Sequence, residues 1–267
     1  MRAKIIAFAN QKGGVGKTTS CVNLAASVAG LKQKILLIDL DPQGNATMGS
    51  GFNKVDAKFT SGDVLQKKAL LVNSIVSVNG FDLLPGNIDV TEAEVNLIKE
   101  SDRQHRLYSA LQSVTEKYDF IFIDCPPSLN ILTLNALIAA DSVIIPMQCE
   151  YYALEGLSSL INTIEDINYL NKKLKIEGII RTMYDPRNKL CQDVSVQLVE
   201  HFDNLVYATV IPRNIRLAEA PSHGMPILLY DQNSKGAKAY CKLAKEFLNR
   251  QKKSMNKPII HKKKELA

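Results

Sequence analysis

Short, unbroken apolar runs recur along the chain, separated by stretches where apolar residues return every third or fourth position. KIIAFA (4–9), KILLID (34–39) and DFIFID (119–124) show no polar alternation, and the last two end in an aspartate. A run of that kind predicts a strand buried on both faces, as in the centre of a parallel sheet. DSVIIPM (141–147), KIEGIIRTM (175–183) and LVYATVI (205–211) are further strand candidates. Helical periodicity fills 18–30, which Gly30 stops, and then 103–117, 129–140, 153–171, 188–202 and 234–250.

Strands separated by helices imply right-handed crossovers and an α/β fold with a doubly wound, mostly parallel sheet flanked by helices. Residues 51–102 are less regular: a helix start at TSGDVLQ, a short strand pair at 72–78 and 81–84, and a helix near 90–99. No boundary interrupts residues 1–250, which read as one domain. Residues 251–267 read as a basic, disordered tail.

Charge changes this picture only at its end. The seven basic residues within 250–267, set against Glu265, carry the entire net charge of +6, so the body sums to zero. A nucleic-acid surface on the body must therefore be a local patch. With no Trp and 6% aromatic residues, the core is aliphatic. The five cysteines are scattered, without a C-x-x-C pair, which argues for reduced thiols in a cytoplasm and against a disulfide framework or zinc site. The first apolar run is too short for a signal peptide, and no stretch of about 20 apolar residues could span a membrane.

The chemistry begins at NQKGGVGKTT (10–19), between the first strand and the first helix. That context suits a phosphate loop, G-x-x-x-x-G-K-[ST], although Gln11 stands where its first glycine belongs. Gly13, Gly14 and Gly16 let backbone N–H groups turn inward, and the helix N-terminus adds its dipole. Lys17 is placed for the β- and γ-phosphates, Thr18 for Mg²⁺ and Thr19 for the α-phosphate. Asp39 and Asp41 sit two apart at a strand's C-terminal end, where open α/β sheets bind ligands. Asp39 could equally do no more than cap the following turn. Asp124 ends a second such strand and would hold Mg²⁺ through water. Cys125 beside it reads as a small packed residue, since one cysteine cannot build a shared iron–sulfur cluster.

K-G-G-V-G-K-T-T resembles the deviant Walker A loop of the P-loop ATPases that include ParA, MinD, the arsenite pump and the nitrogenase iron protein. DLDPQGNAT, DCPPSLNILTLNAL, EYYALEGLSSL, TMYDPRNKL and VIPRNIRLAEAPSHGMPILLYD are similar to the small chromosomal ParA proteins, also called Soj, over residues 3–250. The resemblance makes Lys12 a signature lysine that reaches the nucleotide of a dimer partner. A cation supplied there would stabilise transition-state charge as an arginine finger does. By the same resemblance Asp41 positions the attacking water, Asn45 helps hold it, and Asp39 lies nearer the metal's water shell. Pro212 and Asn214 contact adenine, although Asn214 could also be a plain helix cap.

The function implied is a cytoplasmic, nucleoid-associated ATPase that uses ATP and Mg²⁺. It would close into a homodimer with ATP, bind double-stranded DNA without sequence preference, and release it when a ParB-like partner stimulates hydrolysis, which is weak otherwise. Arg181, Arg187, Lys189, Arg213 and Arg216 cluster in the late stretches, and Arg187 and Arg216 match the family's DNA contacts best. Solvated arginines or local ion pairs are the alternative for them. The tail could add a nonspecific DNA contact or be a solvated end. Pro258 and the scarcity of large apolar residues there argue against a MinD-like membrane helix. A related ATPase positioning another cargo, or a ligase of the dethiobiotin or cobyrinate kind, are the competing functions on the same superfold.

Overall fold

The computed structural model describes residues 2–255. Seven strands form one sheet: β1 (Lys4–Phe8), β2 (Ile35–Asp39), β3 (Val76–Val78), β4 (Phe81–Leu84), β5 (Phe120–Asp124), β6 (Ser142–Gln148) and β7 (Lys175–Thr182). Their order is β3-β4-β2-β5-β1-β6-β7. All neighbours are parallel except β3 and β4, which form an antiparallel edge. The chain builds β2 to β5 on one side of β1, then crosses to the other for β6 and β7. The C-terminal ends of β1, β2 and β5 therefore meet at one crevice.

The unbroken apolar strands are explained by two core layers. Ile5, Ala7, Leu36, Ile38, Ile121 and Ile123 face one layer. Ile6, Phe8, Ile35, Leu37, Phe120 and Phe122 face the other. Alternation exists, but both sides are apolar because helices cover both.

The helices are α1 (Lys17–Ala29), α2 (Asn45–Gly49), α3 (Ser61–Leu65), α4 (Leu71–Ser74), α5 (Asp89–Leu97), α6 (Arg106–Leu111), α7 (Ile131–Ala139), α8 (Ala153–Ile167), α9 (Lys189–Phe202), α10 (Ile215–Glu219), α11 (Ile227–Tyr230) and α12 (Lys235–Met255). Helices α3, α5, α7 and α8 cover the first layer. Helices α1 and α12 cover the second, where Phe247 makes edge contacts with Phe120 and Phe122.

Four expectations are corrected. Residues 205–211 do not form a strand: Val206 and Pro212 make isolated bridges to Ile179 and Tyr184. Side chains take much of the backbone pairing there. Arg181 donates to the Tyr207 and Ala208 carbonyls, Arg250 to those of Asn204 and Val206, and Glu246 accepts from the Ala208 and Thr209 N–H groups. The expected strand at 72–78 is mostly α4, with β3 confined to Val76–Val78. The helix expected over 103–117 is regular only at Arg106–Leu111. Finally, α12 does not stop at residue 250. Gln251 is buried at 4% exposure, and its amide donates to Glu177, which also pairs with Lys4. That contact keeps the helix docked past the expected boundary. The remainder of the expected basic tail, residues 256–267, lies outside the described residues.

The 205–211 segment lies so close to β7 that Gly178 admits no side chain. A Cβ there would stand 2.5 Å from the Tyr207 ring and 2.9 Å from the Leu205 carbonyl oxygen. Gly178→Ala is expected to destabilise the fold by roughly 1–3 kcal/mol. A lowered urea midpoint with an unchanged slope would show it.

Candidate functional site: a phosphate loop beside two buried carboxylates

The loop after β1 turns on Gly14 (φ 73°) and Gly16 (φ 82°), both in the left-handed region that excludes most side chains. Gly16 caps α1 without any side-chain hydrogen bond, so the first-turn amides have no side-chain acceptor. Two residues outside the motif fix the loop. Asn10 accepts from the Lys12 N–H (3.0 Å) and donates to the Pro146 carbonyl at the end of β6 (2.8 Å). Thr182, at the end of β7, donates to the Val15 carbonyl (2.8 Å). Gln11 replaces the expected glycine and reaches Thr163 on α8 (3.4 Å).

Lys17 is buried at 7% exposure, and its ammonium rests on the Lys12 carbonyl oxygen (3.2 Å). Burial lowers its pKa, while Asp124, Cys125 and Asp41 pull it back up. Thr18 donates to Asp124 Oδ2 (2.7 Å). Thr19 stands beside Gly16 in the wall of a neighbouring cleft. Cys125 is fully buried against the strand.

The parallel register of β2 and β5 sets Asp39 directly opposite Asp124, both with no exposed surface. Burial pushes the Asp39 carboxyl up to about 6, against the lowering effect of hydrogen bonds from Thr47 and Asp41. Asp124 is pushed well above the carboxylate range by burial and then by Asp39. Asp39 is heavily engaged in its turn: it accepts from the Asp41 N–H (3.1 Å) and from Thr47 through both N–H (2.8 Å) and hydroxyl (2.7 Å). Its turn-capping role, left open by the sequence, is therefore realised. Asp41 is 8% exposed and accepts from the Gln43 N–H (2.9 Å). Asp124 Oδ1, in contrast, is buried without a hydrogen-bond partner among the described residues. An orphaned carboxylate oxygen beside the Thr18 hydroxyl is an oxygen-donor pair that fits a hard divalent cation.

A cleft of about 190 Å³ adjoins the loop, lined by Gly16, Thr19, Met183, Pro212, Asn214 and Tyr240 among others. It brings Pro212 and Asn214 to the phosphate loop, as the sequence suggested. Asn214 also caps α10, accepting from the Leu217 N–H at 3.3 Å, which spends its oxygen but not its amide nitrogen. Met183 adopts φ 49°, a strained conformation for a non-glycine residue at the cleft wall.

The basic cluster divides. Arg181 is structural: besides Tyr207 and Ala208 it donates to the Ser195 hydroxyl (2.7 Å). Arg187 is 88% exposed by side chain and paired with Asp185 at 2.8 Å, which holds the Asp185 carboxyl down at about 2. Arg216 pairs with Glu219 (2.8 Å) and Asp231 (3.5 Å). The local ion pairs weighed against a DNA role are thus present, on side chains that remain exposed. Asn10, Thr47 and Thr182 were not singled out from sequence. Asn10 and Thr182 are ordinary polar residues whose partners are distant along the chain, and Thr47 meets Asp39 only through the fold of the intervening turn.

Fold and site together define a P-loop nucleotide-binding protein with a deviant phosphate loop. A family model described as an AAA domain matches residues 3–176. The sporulation initiation inhibitor protein Soj of Bacillus subtilis is 52% identical over 246 residues, covering 91% of this chain and 97% of that protein. The chromosome partitioning protein ParA of Caulobacter vibrioides is 45% identical over 254 residues, 93% and 95% of the two chains. Among solved structures, cobyrinic acid a,c-diamide synthase from Mycobacterium smegmatis with bound ADP and magnesium superposes with a TM-score of 0.83 at 35% identity, covering 94% and 96%. The chain belongs to the ParA/Soj family of chromosome-partitioning ATPases within the AAA-domain class. Among the described residues no helix is long and apolar enough to cross a membrane.

The buried carboxylates make a pH prediction. A raised carboxyl pKa means that the folded state holds its proton more tightly than the unfolded chain, whose Asp titrates near 3.8. The nucleotide-free protein should therefore lose stability as pH rises from about 4 through 6, by on the order of 3 kcal/mol for Asp39. Melting temperatures between pH 5 and 7.5 should fall with rising pH, and Mg²⁺ with ATP should shrink that fall. A flat profile without nucleotide would contradict it.

Proposed function

We propose that this protein is an ATP-driven switch in which Mg²⁺–ATP closes a homodimer, the dimer holds DNA nonspecifically, and hydrolysis releases it. The observation that carries the reading is the separation of the two loop lysines. Lys17 is buried beside Thr18 and Asp124, placed for the nucleotide of its own subunit. Lys12 stands half exposed at the rim, with its ammonium turned to Glu150. A rim cation five residues before the phosphate lysine suits a nucleotide in a second copy.

The other roles follow from position. Loop amides, Lys17 and Thr19 bind and orient the phosphates. Thr18 and Asp124 hold the metal, which screens phosphate charge when bound. Asp39 keeps Asp41 and the α2 turn in place from behind that shell. Asp41 orients the attacking water, with Asn45 at the start of α2 close in sequence. Pro212 packs on the base and the Asn214 amide nitrogen donates to it. Arg187 and Arg216 would exchange Asp185 and Glu219 for DNA phosphates, which makes binding salt-dependent. A ParB-like partner would then act on hydrolysis, within the partitioning role that the name of the ParA relative supports.

Structural likeness to the diamide synthase favours a small-molecule ligase as a second reading, because fold alone does not choose between them. The higher identities to partitioning proteins favour the switch. The deciding experiment is DNA retention by the purified protein with ATP, ADP or no nucleotide, across a salt series. The switch predicts retention only with ATP, declining with salt. Retention in no state, despite an ATP-dependent dimer, would move the weight to the ligase or to another cargo.

Two variants test the assignments. Asp41→Ala should lower turnover at least about 100-fold and leave an ATP dimer trapped on DNA; unchanged phosphate release would remove its catalytic role. Arg187→Ala combined with Arg216→Ala should weaken retention and reduce the salt slope, with sedimentation still showing the ATP dimer. Parental retention would mean that the DNA surface lies elsewhere.

A further inference from the structure

The rim of the phosphate loop is docked on the connection between β6 and α8, and that docking includes an ion pair that the motif does not predict. Lys12 Nζ lies 2.5 Å from Glu150 Oε2. Both ends of the pair are built by the backbone. On the loop side, Asn10 accepts from the Lys12 N–H while donating to Pro146. On the other side, Glu150 sits in a tight turn: its N–H donates to the Gln148 carbonyl (2.9 Å), and its own carbonyl accepts from Ala153 (3.0 Å). The backbone therefore fixes the points from which the two side chains reach each other. The side chains remain 50% and 44% exposed, so water and a second molecule can reach them.

This arrangement bears on the chemistry of Lys12. An ammonium in contact with a carboxylate has its field largely cancelled, and it cannot stabilise charge developing on a phosphoryl group elsewhere. In this position Lys12 is neutralised by a carboxylate of its own subunit. The lysine five residues on adds a link to nucleotide binding. Lys17 rests on the Lys12 carbonyl oxygen, which has no charge to compete with a phosphate. A nucleotide that draws Lys17 onto its phosphates removes that contact from the backbone of Lys12.

We propose that Glu150 is a positioning residue that holds Lys12 in cis, and that the ATP dimer closes as Lys12 exchanges Glu150 for the nucleotide of the second copy. The inference rests on the assignment of Lys12 to the partner's nucleotide. It adds a brake: each subunit must break one ion pair to dimerise, so Glu150 raises the protein concentration at which the dimer forms. Exposed ion pairs of this kind are each worth a factor between about 1.4 and 5, and a dimer breaks two, giving roughly 2- to 30-fold.

The test is sedimentation of the full chain with Mg²⁺ and ATPγS over a protein dilution series, for the parent, Glu150→Gln and Lys12→Ala, with ATPγS affinity of the dilute monomer measured alongside. Glu150→Gln should dimerise at roughly 2- to 30-fold lower concentration than the parent. The gap should narrow as salt rises from about 50 to 500 mM, because screening weakens the cis pair that only the parent contains. A merely structural role for Glu150 would not give that salt dependence. Equal or weaker dimerisation of Glu150→Gln overturns the brake, and so does a gap that salt leaves unchanged. Lys12→Ala separates the two levels of the argument. If it still forms the nucleotide dimer, the assignment of Lys12 itself fails. If it loses the dimer while Glu150→Gln matches the parent, only the role of Glu150 fails.

Discussion

Two carboxylates forced together without water are the constraint on which the site depends. Asp39 and Asp124 end adjacent parallel strands in register, and neither has exposed surface. Burial raises both carboxyl pKa values, and Asp39 raises that of Asp124 further, so the pair carries a proton or an energetic penalty unless a cation meets it. The surroundings divide the work between them. Thr47 and the Asp41 amide satisfy Asp39, whereas Asp124 has the Thr18 hydroxyl on one oxygen and nothing on the other. The first carboxylate is thereby tied to the turn that carries Asp41, and the second is left able to meet a cation.

The phosphate loop is held from outside its own motif. Its backbone conformation comes from Gly14 and Gly16, but its place relative to the sheet comes from the Asn10 bond to Pro146 of β6 and the Thr182 bond from the end of β7. Those strands lie on the far side of β1 from the two carboxylates. Loop and carboxylates are therefore positioned from opposite halves of the sheet, and they meet where the chain changes direction. The same split explains how two lysines five residues apart differ so much in surroundings. Lys17 lies on the buried side of the turn, and Lys12 on the rim beside the β6–α8 connection.

The stretch after β7 shows how side chains replace regular pairing. Arg181, Glu246 and Arg250 take up backbone groups of residues 204–209, and the segment crosses β7 at a glycine because no side chain fits beneath Tyr207. This irregular course carries Pro212 and Asn214 to the cleft beside the loop. It also withdraws Arg181 from the basic cluster and leaves Arg187 and Arg216 exposed beside acidic neighbours.

What the sequence determined by itself is local or periodic. The apolar runs announced strands covered on both faces, because burial on two sides removes the polar alternation. The phosphate loop was legible because glycine conformations and a lysine–threonine pair are contiguous requirements. Asp39 and Asp124 were legible because each ends such a run. Other features needed the tertiary structure because they depend on partners far apart in the chain. Examples are the contact of Asn10 with Pro146, Lys12 with Glu150 and Arg181 with Tyr207, and the docking of Gln251 against Glu177 that extends α12. LVYATVI has the composition of a strand, yet it meets the β7 backbone only at isolated points, and side chains satisfy much of the rest. Composition records how much burial a segment wants, while the packed neighbours decide which groups satisfy its hydrogen bonds.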